Sequence, residues 1–228
     1  MWTDLEIRLN GEVLVPDLSG ALWWPQRRTL IVADMHLEKG SSFARLGQFL
    51  PPYDSRTTLG RLAAAAARRD AARIIALGDS FHDRRAAERL DGESRRVLAD
   101  LAATRHFIWI AGNHDPDPPD WTPGTIAAEW REGGLTFRHE PSALFADGEV
   151  AGHLHPCARI AKWGRSVRRR CFAADGARMV LPAFGAFAGG LDVGEAAIAS
   201  LFAGAFHAYM LGTERVYAIA REAARRRA

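Results

Sequence analysis

Side chains that bind metal ions recur where short apolar segments of this sequence end. Aspartate follows TLIVA and RIIALG, asparagine follows FIWIAG, and histidine follows GEVAG. Seven residues belong to this pattern: Asp34, His36, Asp79, Asn113, His139, His153 and His155. Carboxylate, imidazole and amide ligands together suit Mn²⁺, Fe or Zn²⁺ rather than Ca²⁺. Such a set is too large for one tetrahedral ion, and it matches what two ions roughly 3.5–4 Å apart require.

The spacing of these residues gives the same indication. In an extended segment, side chains at positions i and i+2 face the same way. We therefore expect Asp34 and His36 to converge on one point, and His153 and His155 to do the same. Because Asp, Asn and Gly are also common in turns, each residue alone is compatible with a structural role. Their repetition favours a site, although His139 is supported only by its place between GNHD and GHLH.

The elements that would position these residues follow from the apolar pattern. TLIVAD, RIIALGD and FIWIAGNHD have strand length and predict strands covered on both faces. Between them we predict a helix through TTLGRLAAAAARR, capped by Asp54 or Ser55, and an amphipathic helix over residues 86–104. The spacings suit crossover connections between parallel strands. In such sheets ligands collect just past the carboxyl ends of the strands.

The second half of the sequence predicts a different kind of structure. LTFRH, GEVAG, ARIAKW, VRRRCFAA and ARMVLPAF are short strand-like segments broken by Gly and Pro. A small helix is expected near residues 195–203, and a final strand in RVYAIA. We interpret residues 1–228 as one α/β domain with two central β-sheets flanked by helices. Either a monomer or a homodimer is compatible with the sequence.

Composition bears on several classes of function. The chain has 228 residues, 48% of them hydrophobic, and its net charge of +3 is too small to predict nucleic-acid binding by itself. Its apolar stretches fall far short of about 18 residues, so no membrane span is expected. The N-terminal MWTDLEIRLNGE lacks the apolar region of a signal peptide. Cys157 and Cys171 have no paired spacing, which favours a reducing, cytoplasmic location.

The ordered motifs D-x-H, G-D, G-N-H-D and G-H-x-H resemble those of the calcineurin-like metallophosphoesterase family. The resemblance implies a four-layer αββα sandwich and metal-assisted hydrolysis of a phosphoester. It also implies that two metal ions share the ligands: one ion takes Asp34, His36 and His155, the other takes Asn113, His139 and His153, and Asp79 bridges them. His114, next to Asn113, is the family's candidate for protonating the leaving group or for stabilising its charge.

A narrower resemblance rests on ADMHLEKG, GDSFHD, GHLHP and LPAFGAFAGGLDV. These segments are similar to those of small bacterial metallophosphoesterases associated with ATP-dependent DNA ligases and large helicases. That group is described as manganese-dependent DNA endonucleases of the DNA damage response. The resemblance implies two Mn²⁺ ions as cofactors, with Fe or Zn²⁺ as alternatives. It implies DNA as the substrate, and a DNA ligase and a helicase as functional partners.

One position departs from the family pattern. Many members carry GDxxD or GDxxxD, whose second acid orients the equivalent of His114. In this sequence His82 stands where GDxxD would put the acid, and Asp83 follows it. Two interpretations stay open, since either Asp83 orients His114 or His82 acts on the substrate. If the segment is extended, His114 points away from its neighbour Asn113.

A run of cations between residues 159 and 170 contains six basic residues and no acid. It is either a solvated hairpin or a track for a phosphodiester backbone leading to the metal ions. On the second interpretation Lys162 and Arg165 contact the substrate, together with Arg45 from the loop after His36. Two other functions are compatible with the motifs, namely a hydrolase of a small phosphoester, nucleotide or pyrophosphate, and a binding scaffold without catalysis.

Overall fold

The computed structural model describes residues 5–116, 121, 123–144, 147–162 and 164–222. The first of its two sheets is built from the N-terminal half. Its strands are β1 (Ile7–Leu9), β2 (Glu12–Pro16), β3 (Leu22–Trp24), β4 (Thr29–Val32), β5 (Arg73–Leu77), β6 (His106–Ile110) and β7 (Thr125–Ala127). They lie in sequence order across the sheet. β1 to β4 pair antiparallel, whereas β4 to β7 pair parallel, so β4, β5 and β6 end at one edge.

The second sheet is built from the C-terminal half. Its strands are β8 (Trp130–Glu132), β9 (Leu135–Arg138), β10 (Glu149–Ala151), β11 (Cys157–Lys162), β12 (Arg165–Ala174), β13 (Arg178–Val180), β14 (Phe206–Leu211) and β15 (Val216–Arg221). The order is β15-β14-β12-β13-β10-β9-β8, and β11 pairs with β12 as a hairpin. β9, β10 and β13 are parallel, so this sheet is mixed as well.

Helices cover the outer faces of the two sheets. They are α1 (Lys39–Arg45), α2 (Asp54–Arg68), α3 (Ala86–Arg89), α4 (Gly92–Thr104) and α5 (Ala196–Ala199). One apolar layer packs α2 and α4 on the first sheet, a second layer fills the space between the sheets around Trp24 and Phe172, and a third lies under α5. This order of layers confirms the predicted αββα sandwich. No helix in the described ranges is long and apolar enough to cross a membrane.

The prediction of one helix over residues 86–104 is wrong. The chain leaves the helix after α3, and Asp91 starts α4 by accepting hydrogen bonds from the backbone N–H groups of Glu93 and Ser94. An aspartate in this position satisfies N–H groups that have no partner within the helix. Another departure is β14, because the apolar segment around His207 forms a strand that sequence analysis did not assign.

The predicted cap of α2 is also wrong. The helix begins at Asp54, with Tyr53 in the capping position and no side-chain cap. The Asp54 carboxylate instead accepts from the backbone N–H of Gly40, with 3.0 Å between N and Oδ2. The hydroxyl of Ser55 lies 2.7 Å from Glu38 Oε1. These two buried contacts tie the start of α2 to the start of α1, beside the edge where β4 ends.

Candidate dinuclear metal centre

Asp34, His36 and His155 form what we call the first cluster. Asp34 and His36 follow β4 in the first sheet, whereas His155 comes from the connection between β10 and β11 in the second sheet. His155 Nε2 lies 3.4 Å from Asp34 Oδ1 and 3.3 Å from His36 Nε2. Each residue offers one ligand atom within 4.8 Å of the others. The fold therefore brings both sheets to one point.

Asp79, His139 and His153 form the second cluster. His139 Nε2 lies 3.5 Å from Asp79 Oδ1 and 3.2 Å from His153 Nδ1. Asn113 Oδ1 adds a contact of 2.7 Å to the same His139 nitrogen. The other nitrogen of His139, Nδ1, lies 2.9 Å from the carbonyl oxygen of Leu77. Because a carbonyl only accepts, Nδ1 carries a proton, which leaves Nε2 as the nitrogen that can bind a metal ion.

These atoms fit a pair of divalent cations. Asn113 Oδ1 and Asp79 Oδ1 both lie within 3.5 Å of His139 Nε2, and all three atoms are of types that bind divalent cations. In the first cluster, Asp34 Oδ1 is buried and has no hydrogen bond from any described residue. Burial, with smaller electrostatic contributions from His155 and other basic side chains, lowers the pKa of His36 to about 2, so its imidazole is neutral. Neutral imidazole and carboxylate are the forms that bind metal ions.

Left-handed backbone conformations bring the cluster residues together. Their φ angles are positive at Asp34 (53°), His36 (45°), Asp79 (46°), His153 (69°) and His155 (49°). Such angles cost energy in residues other than glycine, and they concentrate at functional sites. The prediction of extended segments is therefore wrong. Asp34 and His36 do share a cluster, but His153 and His155 lie in different clusters instead of converging on one point.

Backbone N–H groups and glycines hold this geometry. Asp34 Oδ2 accepts from the N–H of His153 at 2.9 Å, and Asp79 Oδ1 accepts from the N–H of His114 at 2.9 Å. A Cβ atom at Gly152 would lie 2.7 Å from Asp34 Oδ2, and one at Gly112 would overlap the backbone of Asp79. Glycine therefore precedes the ligands in GHLH and GNHD because no side chain fits between the two loops.

His114 lies over the site instead of pointing away from it. Its Nε2 is 3.8 Å from Asp79 Oδ2, and its ring meets the His36 ring edge-on at 5.3 Å between centroids. Its Nδ1 is 2.9 Å from the carbonyl oxygen of His82, and the two rings stack at 5.4 Å. The backbone of His82 therefore fixes the orientation of His114, and its side chain forms one wall of the site.

Asp83 does not orient His114, so that interpretation is wrong. Its carboxylate pairs with Arg89 at 2.6 Å between Oδ2 and Nη2, and it accepts from the N–H of Arg85. These contacts close the turn between β5 and α3. The orienting contact to His114 comes instead from the backbone carbonyl of His82.

Asp115 is a buried residue to which sequence analysis gave no role. Its Oδ2 accepts from the N–H of Phe81 at 3.0 Å, while Oδ1 is buried with no hydrogen bond from the described residues. Burial raises the pKa of Asp115 to about 7, and the nearby carboxylate of Asp79 adds to the rise. The residue joins the loop after β6 to the loop after β5. In the sequence, its position as the last residue of GNHD was the feature that could have indicated a role.

The predicted substrate-binding residues lie on the surface. Arg45 ends α1 and is exposed, and Arg165 begins β12 and is exposed. Lys162 ends β11, and its side chain lies outside the described part of the structure. The structure does not fix either exposed arginine in the way that it fixes the residues of the two clusters. The role of both arginines as substrate contacts therefore stays a prediction.

Part of the cation run has a structural role. Arg170 donates to the carbonyl oxygen of Ala183 at 2.8 Å, and Arg168 donates to that of Gly190. The connection after β13 in turn lies against the first cluster, since the N–H of Gly185 donates to the Asp34 carbonyl at 3.1 Å. Only the remaining cations of the run, towards the hairpin tip, are candidates for a phosphate track.

The comparison with protein families gives one match. Residues 27–176 match the model of the calcineurin-like phosphoesterases. This range includes every residue of both clusters, together with Asn113 and His114. No curated protein gives a significant match.

Among solved structures, the chain is similar to the nuclease MPE of Pseudomonas putida. The two share 29% sequence identity with a TM-score of 0.73, over 95% of this chain and 100% of that one. Yfce, a phosphoesterase from E. coli, aligns over 86% of this chain and 99% of its own length, with 14% identity and a TM-score of 0.43. The first likeness extends over nearly the whole of both chains.

Proposed function

Because the chain belongs to the calcineurin-like phosphoesterase family, we propose that it is a dinuclear metal-dependent phosphodiesterase that hydrolyses DNA. We propose further that it acts as an endonuclease on single-stranded or flapped DNA in repair. One observation carries the proposal: two adjacent groups of carboxylate and imidazole ligands face His114. The similarity to a nuclease along nearly the whole chain supports DNA as the substrate.

The first cluster would hold one divalent ion. The second cluster, with Asn113, would hold the other, and Asp79 would bridge them. Bound ions of this kind supply a nucleophilic water of lowered pKa and polarise the phosphoryl oxygens. We propose Mn²⁺ for both sites, because carboxylate, amide and imidazole ligands without thiolate suit it, and Fe or Zn²⁺ are the alternatives.

The protein's own side chains would position and protonate the reacting groups. Donation from Nδ1 of His114 to the His82 carbonyl keeps the ring in one orientation, with Nε2 facing the site. The carboxylate of Asp79 lies 3.8 Å from that nitrogen. His114 would then give its Nε2 proton to the leaving oxygen. A general acid of this kind typically contributes about 10²–10⁴-fold to the rate.

The exposed cations would guide the DNA backbone. Arg165 stands at the tip of the β11–β12 hairpin, and Arg45 is the last residue of α1. Replacing Arg165 with Ala should reduce the salt dependence of single-strand binding, by about 0.7 in the logarithmic slope for each lost phosphate contact. Arg131→Ala is the matched control, because Arg131 is exposed and pairs with Glu129 on the surface. Equal slopes in the two variants would remove the hairpin from the DNA path.

A screen of metals against substrates tests the proposal. Metal-free protein is reloaded with Mn²⁺, Fe²⁺ or Zn²⁺ and given circular single-stranded DNA, flapped DNA, duplex DNA, RNA, cyclic dinucleotides and aryl phosphates. We expect Mn²⁺-dependent opening of the single-stranded circle. If no metal supports DNA cleavage and small phosphoesters are hydrolysed well, the proposed DNA substrate is wrong. If nothing is hydrolysed, catalysis itself is excluded.

Two parts of the proposal concern the cellular setting. We propose that the enzyme works in the cytoplasm with a DNA ligase and a helicase, as the resemblance of ADMHLEKG and LPAFGAFAGGLDV implies. Deleting the gene and measuring survival after DNA damage, alone and together with loss of the ligase, tests this. Additive sensitivities would contradict a shared pathway.

A further inference from the structure

The segment between β4 and α2 exposes apolar side chains beside the site. Leu46 is 76% exposed, Phe49 86% and Tyr53 62%. All three lie between the end of α1 and the start of α2, within eight residues of one another. Exposed apolar patches mark surfaces that contact another molecule, and three such side chains in one short segment are candidates for such a surface.

The base of this segment, four residues after His36, is tied to the start of α2. Gly40 N–H donates to the Asp54 carboxylate, so the residues just after His36 and just after Tyr53 are joined by a buried hydrogen bond. A Cβ atom at Gly40 would lie 2.8 Å from that carboxylate and 3.5 Å from the carbonyl oxygen of Pro51. The exposed side chains are therefore carried on a closed loop whose base adjoins the first cluster.

A series of rings connects this loop to the site. The Phe43 ring on α1 lies 5.8 Å from the His82 ring, and His82 stacks on His114 at 5.4 Å. Lys39 Nζ lies 5.7 Å from the centre of the Phe43 ring, one helical turn away on the same face of α1. The aromatic surface thus continues from α1 to the proposed acid.

The charge of the segment selects the kind of molecule it contacts. Residues 39–53 contain the cations Lys39 and Arg45 and no aspartate or glutamate. Aromatic faces interleaved with cations, in a segment without acids, match a polyanion that carries flat rings. A single-stranded nucleic acid has both features, whereas a duplex keeps its bases stacked inside.

We infer that residues 39–53 bind the unpaired bases of a single-stranded nucleic acid. Phe49 and Tyr53 stack on bases, and Lys39 and Arg45 contact the flanking phosphates. This surface would select single strands over duplexes and hold the strand beside the metal centre. The inference rests on the proposed function, because it concerns the substrate of the same site.

The main test compares a thymidine strand with an abasic strand of equal length, which has the same phosphates and no bases. Wild-type protein with Mn²⁺ should show a kcat/KM at least about 20-fold higher on the thymidine strand. Phe49→Leu and Tyr53→Leu keep apolar side chains but remove the ring faces. Each should lower the ratio of the two kcat/KM values about fivefold or more, mainly through KM, and Phe49→Trp should preserve it.

Tyr217→Leu is the matched control. Tyr217 is an aromatic side chain of β15, 42% exposed, at the edge of the second sheet. Its replacement should leave the ratio unchanged. If Phe49→Leu and Tyr53→Leu also leave the ratio unchanged, or if the wild type does not distinguish the two strands, the inference is wrong.

Two further outcomes distinguish a failure of the proposed function from a failure of the proposed binding surface. If the wild type cleaves aryl phosphates but neither strand, the proposed function fails, whatever residues 39–53 do. If the wild type cleaves DNA and Phe49→Leu changes the sedimentation coefficient but not the ratio, the loop is a contact between copies of the chain, and the inference is overturned. Binding to metal-free protein, followed by the anisotropy of labelled strands, should show the same order of affinities.

Discussion

Buried carboxylates occur in two regions of this molecule, and their partners differ. Asp17, at the end of β2, is 3% exposed and pairs with Arg68 at 2.7 Å and with Arg69 at 3.1 Å. Asp34 and Asp79, at the ends of β4 and β5, are as deeply buried. Their nearest ionisable partners are histidines, and within the described residues no arginine or lysine forms an ion pair with them.

The difference distinguishes a structural carboxylate from a functional one. Of the 30 lysines and arginines, only Lys39 and Lys162 are lysines, so arginine is abundant everywhere in this sequence. A buried carboxylate normally requires a cation or several hydrogen bonds. At Asp17 the chain supplies the cation itself. At Asp34 and Asp79 it supplies backbone N–H groups and imidazoles, and leaves the compensating positive charge to ions from solution.

Asp79→Asn should have the largest effect, because it alters one of the two functional carboxylates. We expect loss of tightly bound metal and a fall in phosphodiesterase activity of about 10⁴-fold or more, since the nucleophile and the charge stabilisation depend on the ions. Activity with saturating Mn²⁺ and metal content after dialysis measure both effects. The metal-free variant should unfold at a urea concentration no lower than the wild type. Full activity would contradict the distinction between Asp17 as a structural carboxylate and Asp79 as a functional one.

His114→Ala should have the next largest effect. We expect kcat to fall about 10²–10³-fold on DNA, because the proposed acid is lost. Metal content should stay the same, since His114 belongs to neither cluster. Substrates with activated aryl leaving groups should lose much less, and their kcat is the internal control. Equal losses on both kinds of substrate would show that His114 supports the site without donating a proton.

Asp17→Asn should change stability and leave chemistry intact. The substitution leaves Arg68 and Arg69 facing an amide, so we expect the free energy of unfolding to fall by about 2 kcal/mol. Arg68 is half exposed, which keeps the loss below that of a fully buried pair. Urea denaturation of the metal-free protein measures it, and kcat with Mn²⁺ is the control. A large loss of activity without a loss of stability would reverse the assigned roles.

Asp115→Asn should have the smallest effect, and it should raise the free energy of unfolding, whereas Asp17→Asn lowers it. Asp115 is buried without a cationic partner among the described residues, and burial already holds its pKa near 7. An asparagine keeps an oxygen for the Phe81 N–H and removes the unpaired charge. We expect the metal-free protein to gain about 1 kcal/mol in the free energy of unfolding at pH 8. A loss of similar size would mean that the carboxylate makes an essential contact.

The sequence predicted the layers of the fold better than it predicted the loops. Apolar runs of strand length located β4, β5 and β6, and the spacing between them predicted parallel crossovers. The family resemblance divided His153 and His155 between two ions, as the two clusters do. The simple rule of extended segments predicted the opposite, because it did not anticipate positive φ angles at both residues.

What the sequence did not predict depends on contacts between distant segments. Asp54 and Ser55 looked like caps because their side chains suit that role, but Gly40 and Glu38 compete for them from another loop. The orientation of His114 depends on a carbonyl 32 residues away. Arg168 and Arg170 belong to the cation run for which a phosphate track was one interpretation, and their carbonyl partners come from the connection after β13, which the sequence does not place against them.

The union of both sheets in one cluster has a consequence for the unfolding of the chain. Asp34 and His36 leave the first sheet and His155 belongs to the second, and 119 residues separate His36 from His155. An ion bound by all three would close a loop of that length. By the chain-entropy argument used for disulfides, a cross-link closing about 100 residues raises the free energy of the unfolded state by about 4.7 kcal/mol at 25 °C. In a chain whose two cysteines are free, the bound metal ion would thus act as a removable cross-link between the sheets.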